Sequence, residues 1–240
     1  MKKFAILSLM AVLALSACDD DNDPTGTQDT AQVRIVNATT GTNFAAINAL
    51  EGSDEIVAGV AQGTGSNCST TYEVTAGNRT INFRTVAGGT TNQESITYNF
   101  LADHKYTIIL YGTNADVRAM VIEDEATQTA ATAGNRRFRF INASTNNTAV
   151  DVFARPNTTG APTTAATSSN IASGTAAGGA TVANNYFNIP TANTFFQFYN
   201  TGATTTLRQT ATLNTTNFPT SGNATILLTD TGTFQINNCS

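Results

Sequence analysis

Hydrophobic and polar residues alternate along short segments after residue 32, with the period of two that is typical of half-buried β-strands. Residues 106–111 differ, because they form a nearly continuous apolar run. Such a run is expected of a central strand that is covered on one side and packed against its neighbours. The segments predict seven short strands at the spacing of an immunoglobulin-like sandwich: residues 33–36, 45–50, 71–74, 81–83, 96–100, 106–111 and 117–121.

The same pattern starts again in the second half of the chain. Residues 33–39, Val-Arg-Ile-Val-Asn-Ala-Thr, match residues 138–144, Phe-Arg-Phe-Ile-Asn-Ala-Ser. Two further pairs of matching segments are 45–47 with 150–152 and 106–110 with 224–228. The sequence therefore predicts an all-β chain with a tandem duplication. Two immunoglobulin-like antiparallel β-sandwich domains are expected at residues 32–122 and 138–240.

The segment between the two copies, residues 123–137, is charged and lacks strand alternation, so we predict a linker there. Each copy has its own alternating strands, and we expect each copy to bury its own core and fold independently. The second copy also holds an insertion rich in Ala, Gly, Thr and Ser over residues 157–184. This composition predicts a surface loop.

Residues 1–17 have the pattern of an export signal. Lys2 and Lys3 precede an apolar run over residues 4–15, and small residues lead up to Cys18. The run is too short to span a bilayer, which takes about 20 residues. It resembles the lipobox of bacterial lipoproteins, which implies a lipid on the Cys18 thiol and on the amine that cleavage exposes. The alternative is an ordinary secretory signal whose cleavage site happens to precede a cysteine.

The segment after Cys18, residues 18–31, holds five aspartates and no large apolar residue, so we predict a solvated, lipidated tether. The acids lack the spacing of a calcium loop. Removal of residues 1–17 leaves 10 basic and 17 acidic residues, a net charge of −7 that argues against nucleic-acid binding. Acidic residues at this place resemble sorting signals, which retain lipoproteins at the inner membrane in some bacterial groups and send them to the cell surface in others. We expect the bacterial cell envelope, with the outer membrane or cell surface favoured over the inner membrane.

Two cysteines are left once Cys18 carries lipid. Cys68 and Cys239 would lie in an oxidising compartment, and we predict that they form a disulfide. The loop so closed exceeds 100 residues, which stabilises a fold by up to about 4 to 5 kcal/mol in the chain-entropy model. The alternative is two free or intermolecular thiols, because the sequence does not fix the distance between them.

Three recurring segments carry a family resemblance. They are an Arg-aliphatic-aliphatic-Asn-Ala-Ser/Thr strand, a Val-Asp-Val-Phe type strand and a Tyr-Thr-Ile-Ile-Leu-Tyr-Gly strand. With them the chain resembles the family of domain of unknown function 4397, from Gln32 to the C-terminus in two copies. The resemblance is clearest at residues 139–153 and weaker at residues 45–50, where Ala46 is taken to replace the family's Asp. It implies an extracytoplasmic β-sandwich and brings no catalytic residues.

The inventory of reactive side chains does not favour an enzyme. His104 is the sole histidine and lies in a predicted turn, so a multi-histidine metal site is excluded and a Ser/His/Asp arrangement has one candidate base. After the linker only Asp151 and Asp230 could form a pair of carboxylates, so a hydrolase is the less favoured alternative. We predict no catalytic residues, no metal site and no cofactor.

Aromatic residues give the one candidate binding surface. In the segment 195–199, alternation turns Phe196 and Phe198 inward, so Phe195 and Tyr199 are expected to face outward. Exposed rings of this kind bind sugars or proteins. The alternative is that this face is covered by the other domain or by the insertion at 157–184. We expect a membrane-anchored structural, adhesive or interaction protein. The alternative is a module that binds a cell-surface protein or a glycan.

Overall fold

The computed structural model describes residues 29–65, 71–86, 93–124, 130–146, 148–176, 186–212 and 223–237. The described residues form eighteen β-strands, one 3-10 helix and no α-helix, which confirms the all-β prediction. None of them belongs to a helix long and apolar enough to cross a bilayer.

The first nine strands form two sheets. Inner sheet 1 has the order β4-β1-β8-β9, with β5 also paired to β1, and outer sheet 1 has the order β3-β2-β6-β7. A 3-10 helix at Thr42–Phe44 links β1 to β2. The strands are β1 (Thr30–Thr39), β2 (Ala46–Glu51), β3 (Asp54–Ala61), β4 (Thr64–Gly65), β5 (Tyr72–Thr75), β6 (Gly77–Thr85), β7 (Glu94–Phe100), β8 (Lys105–Gly112) and β9 (Val117–Glu123).

The second nine strands follow the same order. Inner sheet 2 has the order β13-β10-β17-β18, with β14 also paired to β10, and outer sheet 2 has the order β12-β11-β15-β16. The strands are β10 (Asn135–Asn142), β11 (Val150–Arg155), β12 (Ser168–Ile171), β13 (Thr175–Ala176), β14 (Phe187–Pro190), β15 (Phe195–Asn200), β16 (Leu207–Thr212), β17 (Asn223–Leu228) and β18 (Thr233–Asn237). The predicted linker, residues 123–137, thus overlaps the end of β9 and the start of β10.

One pairing in each inner sheet departs from the predicted antiparallel arrangement. Strand β1 pairs in parallel with β8, and β10 pairs in parallel with β17. A parallel pair cannot be joined by a tight hairpin and requires a long connection. Six strands separate β1 from β8, and they build outer sheet 1 and the edge of inner sheet 1. The remaining strand pairs are antiparallel.

The four sheets are stacked, and an apolar cluster fills each of the three spaces between neighbouring sheets. Core 1 lies between the sheets of the first sandwich and core 2 between those of the second. The third cluster, the interface core, lies between inner sheet 1 and inner sheet 2. Its buried members are Val36, Ala38, Ile109, Tyr111, Met120, Ile122, Ile141, Ala143, Ala176, Leu227 and Ile236.

The interface core explains the apolar run at 106–111. Tyr106, Ile108 and Leu110 belong to core 1, while Ile109 and Tyr111 belong to the interface core. Strand β8 is therefore buried on both faces, whereas the sequence predicted a cover on one side. A strand loses its polar alternation where both faces are covered.

Candidate functional site

His104, Asp151 and Asp230, the reactive side chains that the sequence singled out, each contact a different part of the fold. The His104 side chain is 43% exposed, and its Nδ1 lies 2.7 Å from Oε1 of Glu123. Asp151 accepts hydrogen bonds from the backbone amides of Asn170 and Gly202, at 2.8 and 3.0 Å. Among the described residues, no group of three or more His, Cys, Asp or Glu is placed to bind a metal ion.

Asp230 also has a structural contact. Its carboxylate accepts hydrogen bonds from the backbone amide and the hydroxyl of Thr145, at 2.8 and 3.2 Å. These bonds fix the loop after β10 to the turn between β17 and β18. Both carboxylates of the second sandwich thus orient loops.

The structure corrects the expectation that Tyr199 faces solvent. Tyr199 does point away from core 2, but it is only 4% exposed. Its ring packs edge-on against Phe153, with centroids 5.5 Å apart. Phe195 is half-buried on the same face, beside Arg155 across the strand pair. Alternation therefore predicted correctly that Tyr199 lies on the face of β15 turned away from core 2, but it did not predict that this face is buried.

The first part of the insertion is hydrogen-bonded to Arg155 and Gln197 on the same face. Arg155 donates from Nη1 to the carbonyl oxygen of Gly160 and from Nη2 to that of Thr159, at 2.6 and 2.8 Å. Arg155 also donates to Oε1 of Gln197, and the Gln197 amide donates to the carbonyl oxygen of Thr158. Gln197 is 1% exposed as a result. The segment at residues 156–160 is held across the aromatic face mainly by these hydrogen bonds.

We expect Arg155→Met to release this segment while leaving the sandwich folded. The guanidinium is the principal hydrogen-bond donor to it, and the covering residues themselves are exposed, so few apolar contacts would hold them. Limited proteolysis should cut near residue 160 at least five times faster than in the wild type. The free energy of unfolding should change by no more than about 1 kcal/mol. Unchanged proteolysis would show that the segment is held by something else.

Two asparagines of the repeated motif have the same buried role. The Asn37 amide nitrogen donates to the carbonyl oxygens of Phe44 and Val60, at 2.9 and 3.1 Å. The Asn142 amide nitrogen donates to those of Thr148 and Ile171, at 2.9 and 3.0 Å. Each oxygen accepts a hydroxyl hydrogen bond from the residue two positions later, Thr39 or Ser144. The Asn-Ala-Ser/Thr motif therefore fixes loops to the first strand of each sandwich.

Strand pairing corrects the position matched to the family's Asp. Ile47 pairs with Val60 and Ala49 with Val57, so β3 carries one extra residue between these pairs. In the second sandwich Val150 pairs with Ile171 and Val152 with Ser168, with the same extra residue. Asn48, and not Ala46, therefore corresponds to Asp151.

Their hydrogen bonds support this correspondence. Oδ1 of Asn48 accepts the backbone N–H of Gly59, at 2.9 Å, and Oδ1 of Asp151 accepts that of Asn170, at 2.8 Å. Both donors have a positive φ, 67° and 55°. An extra strand residue often takes such a conformation. The Asp of the motif is thus a support for a β-bulge.

A polar network crosses the interface between the sandwiches. Arg34 donates to the Thr107 hydroxyl at 2.9 Å, and Thr107 donates to Oδ2 of Asp124. From the second sandwich, Arg139 donates to Oδ1 of Asp124 at 2.8 Å and to the Thr225 hydroxyl at 3.1 Å. The two Arg–Thr pairs occupy equivalent places, since each Arg lies opposite its Thr in a parallel strand pair.

This network was not found from the sequence. In the sequence, Arg34 and Arg139 stand between apolar residues of predicted strands, and Asp124 lies in the segment predicted as a linker. Arg34, Arg139 and Asp124 are instead 3%, 0% and 8% exposed. Burial lowers the pKa of Arg34, an effect that the Asp124 carboxylate opposes. The sequence did hold a signal for the network, since Arg occupies the same position of the motif in both copies, as Arg34 and Arg139.

A cleft opens beside the interface core at one edge. It has a volume of about 200 Å³ and lies between β7, β9 and the segment at β13. Apolar side chains form most of its wall, and the lining residues are Ile96, Tyr98, Met120, Val121, Ile122, Gly174, Thr175 and Ala176. Typical small-molecule pockets are larger, about 300 to 1,000 Å³.

Three charged side chains, Glu94, Asp116 and Arg118, lie beside the cleft where β7 and β9 begin. Arg118 is bound to Asp116 by two hydrogen bonds, at 3.0 and 2.7 Å. Glu94 begins β7 close to this pair. Burial raises the pKa of Glu94, the Asp116 carboxylate adds to the rise, and Arg118 opposes it. Asp116 and Arg118 are thus the charged side chains that act on the Glu94 carboxylate among the described residues.

The three cysteines cannot be placed by the structure. Cys18, the predicted lipid site, and Cys68 and Cys239, the predicted disulfide, lie outside the described residues. Their roles stay predictions. Lipid attachment and the disulfide are therefore matters for experiment.

Comparison with known proteins identifies a family and no activity. One matching solved structure is the product complex of a multi-modular glycogen-degrading pneumococcal virulence factor, SpuA. It shares 12% identity and a TM-score of 0.23 with this chain, and the match covers 85% of this chain and 21% of that one. The chain thus spans about a fifth of the length of that protein. No curated protein matches.

The family match covers the first sandwich and continues into the second. The model described as "Domain of unknown function (DUF4397)" matches residues 31–153, from β1 through β11. Residues beyond 153, where the resemblance was also expected, lie outside the matched range. The match takes in 123 of the 240 residues, about half of the chain. The chain therefore belongs to the DUF4397 family.

Proposed function

We propose that this protein is a lipid-anchored lipoprotein of the bacterial cell envelope, with a structural, adhesive or interaction role and no catalytic activity. One observation carries the proposal: the polar residues of the repeated motif are all used to hold the fold. Arg34 and Arg139 bind across the interface, Asn37 and Asn142 fix loops, and Asp151 supports a bulge. Residues of an active site would instead converge on a cleft.

A duplicated sandwich suits this role. The two copies present nine strands each in the same order, and a pair of equivalent inner sheets forms the interface core. We infer that one ancestral sandwich was duplicated and that the copies dock through the same face. The docked pair would present a single rigid body to its surroundings.

The path of the chain gives this body an orientation. Strand β1 begins at Thr30, where the carbonyl oxygen accepts a hydrogen bond from the Asp103 amide. A lipid on Cys18 would hold this end near the membrane. The loops at the opposite end of the sheets, which include Gly112 and Thr145 in close contact, would face away from it.

We expect lipid attachment to depend on Cys18 alone. In a bacterium that processes lipoproteins, the wild-type chain should enter the detergent phase of a Triton X-114 extraction. Cys18→Ser should move it to the aqueous phase, since no acyl chains would anchor it. Cys68→Ser is the matched control and should behave like the wild type. If wild type and Cys18→Ser partition equally, the lipoprotein proposal is wrong.

The second candidate function is a ligand-binding module. The cleft beside the interface core favours it, because its wall is apolar and the strand β7 that lines it begins with Glu94, a carboxylate whose pKa is raised by burial. The aromatic face that the sequence suggested favours it less, since Tyr199 is buried there. A hydrolase is the least favoured function.

A further inference from the structure

Strand β9 forms the edge of inner sheet 1 along the cleft, and in the described part of the chain no strand pairs with its outer backbone groups. Within the described part of the chain, β9 pairs with β8 and with no other strand. The Asp124 amide donates to the Lys105 carbonyl oxygen, at 2.8 Å. Because alternate residues of an antiparallel strand bond to the same neighbour, the backbone groups of Val117, Ala119 and Val121 point away from β8. They face the open side of β9, where the cleft lies.

The walls of the cleft suit alternate side chains of an extended segment. Ile96 and Tyr98 of β7 form one wall, and Ala176 of β13 contributes to the other. A volume of about 200 Å³ is too small for a drug-sized molecule and suits one or two aliphatic side chains. Tyr98 packs in an edge arrangement against Tyr106, with ring centroids 5.5 Å apart.

The charge at the end of the cleft indicates a basic partner. Glu94 and Asp116 supply two carboxylates beside one guanidinium, that of Arg118, so this group has one more acidic side chain than basic ones. Residues 32–240, which follow the acidic tether, hold 12 acidic and 10 basic residues, a net charge of −2. A net negative charge favours a basic partner over an acidic one. A Lys or Arg side chain beside an aliphatic one would complement this edge.

We propose that the β9 edge is a docking site for an extended polypeptide segment that alternates aliphatic and basic residues and adds as a strand beside β9. Strand addition supplies affinity through main-chain hydrogen bonds and specificity through alternate side chains. The proposal deepens the interaction role proposed above and rests on it for the kind of partner. It does not rest on the lipid anchor, because the cleft belongs to the folded sandwiches.

The test uses residues 19–240 and two synthetic peptides, acetyl-(Lys-Val)₄-amide and acetyl-(Glu-Val)₄-amide. Titration followed by ¹⁵N-¹H NMR should show saturable shifts of the Ala119 and Val121 amides with the lysine peptide. The glutamate peptide should bind at least tenfold more weakly. Shifts spread over the acidic surface, or none at millimolar peptide, would overturn the proposal.

Two variants separate the backbone contribution from the charge. Ala119→Pro removes one outward N–H but no hydrogen bond to β8, a position where an edge strand tolerates proline. It should weaken the lysine peptide at least tenfold. Glu94→Gln should weaken it at least threefold, while Glu73→Gln, on the exposed edge strand β5, should have no effect. If Ala119→Pro loses its fold by circular dichroism, Glu94→Gln against Glu73→Gln decides the outcome.

The alternative occupants give different results. Docking of a second copy would appear as a concentration-dependent dimer in sedimentation, without peptide, that Glu94→Gln or Ala119→Pro disrupts, and this would overturn the proposal. Loss of peptide binding with normal detergent partitioning would reject the cleft alone. Binding by a chain that fails to partition would reject the lipid anchor alone.

Discussion

Asp124→Asn should destabilise the folded chain by about 3 to 5 kcal/mol, one of the two largest effects that we expect. Arg34 and Arg139 are almost fully buried, and the Asp124 carboxylate is a negative charge bound to Arg139 directly and to Arg34 through Thr107. Removal of this charge leaves two guanidinium groups in an environment of low dielectric constant. Desolvation of an uncompensated charge costs several kcal/mol.

Urea denaturation at pH 7, with the midpoint and the slope reported separately, measures the loss. The matched control is Glu123→Gln, one residue earlier on the chain. The Glu123 side chain forms an ion pair with His104 at the surface, and the loss of its charge should cost less than about 1 kcal/mol. Equal losses in the two variants would mean that Asp124 does not neutralise the arginines.

A second substitution separates charge from packing. Asp124→Leu combined with Arg139→Met removes one charge of each sign and keeps apolar volume in place. Replacement of a buried ion pair by apolar residues is often neutral or stabilising. We therefore expect the double variant to be more stable than Asp124→Asn. Arg34 would then be the single buried charge left in the network, so the full stability of the wild type is not expected.

The strand pattern was predictable from the sequence because alternation depends only on local burial. The segment 106–111 shows the limit of prediction from local alternation. Its apolar run correctly indicated a central strand, yet the sheet on its second face belongs to the second sandwich, through residues such as Ile141 and Leu227. No local pattern gives the partner of a buried face. The same gap explains Arg34, because no local pattern shows that the second sandwich buries its side chain.

The register of the repeats shows a second limit. Ala46 was matched to Asp151 by counting along similar letters, but the bulge in β3 places Asn48 there. An alignment of the two copies that is wrong by one or two residues cannot be recognised from the sequence when small residues surround the position. Backbone pairing resolves it, since the donors Gly59 and Asn170 both have a positive φ. The candidate cleft was not predictable either, because three different sheet edges form it.

Leu227→Asp should separate the two sandwiches without unfolding either one. Leu227 is fully buried in the interface core and contributes nothing to core 2. Its replacement loses roughly 2 to 5 kcal/mol of apolar packing and buries a carboxylate without a partner. Because core 1 and core 2 are complete within their own sandwiches, both should persist after the interface opens. Calorimetry should then show two transitions where the wild type shows one.

The next residue along β17 provides the matched control. Leu228 is also fully buried, but its side chain belongs to core 2. Leu228→Asp should therefore unfold the second sandwich itself. In hydrogen exchange, Leu227→Asp should lose protection along the facing inner sheets and keep it in β11 and β15, whereas Leu228→Asp should lose it in those two strands. If both variants lose protection in β11 and β15 equally, the second sandwich does not fold without the first. The interface core would then be part of one folding unit, contrary to the independent folding that the sequence predicted.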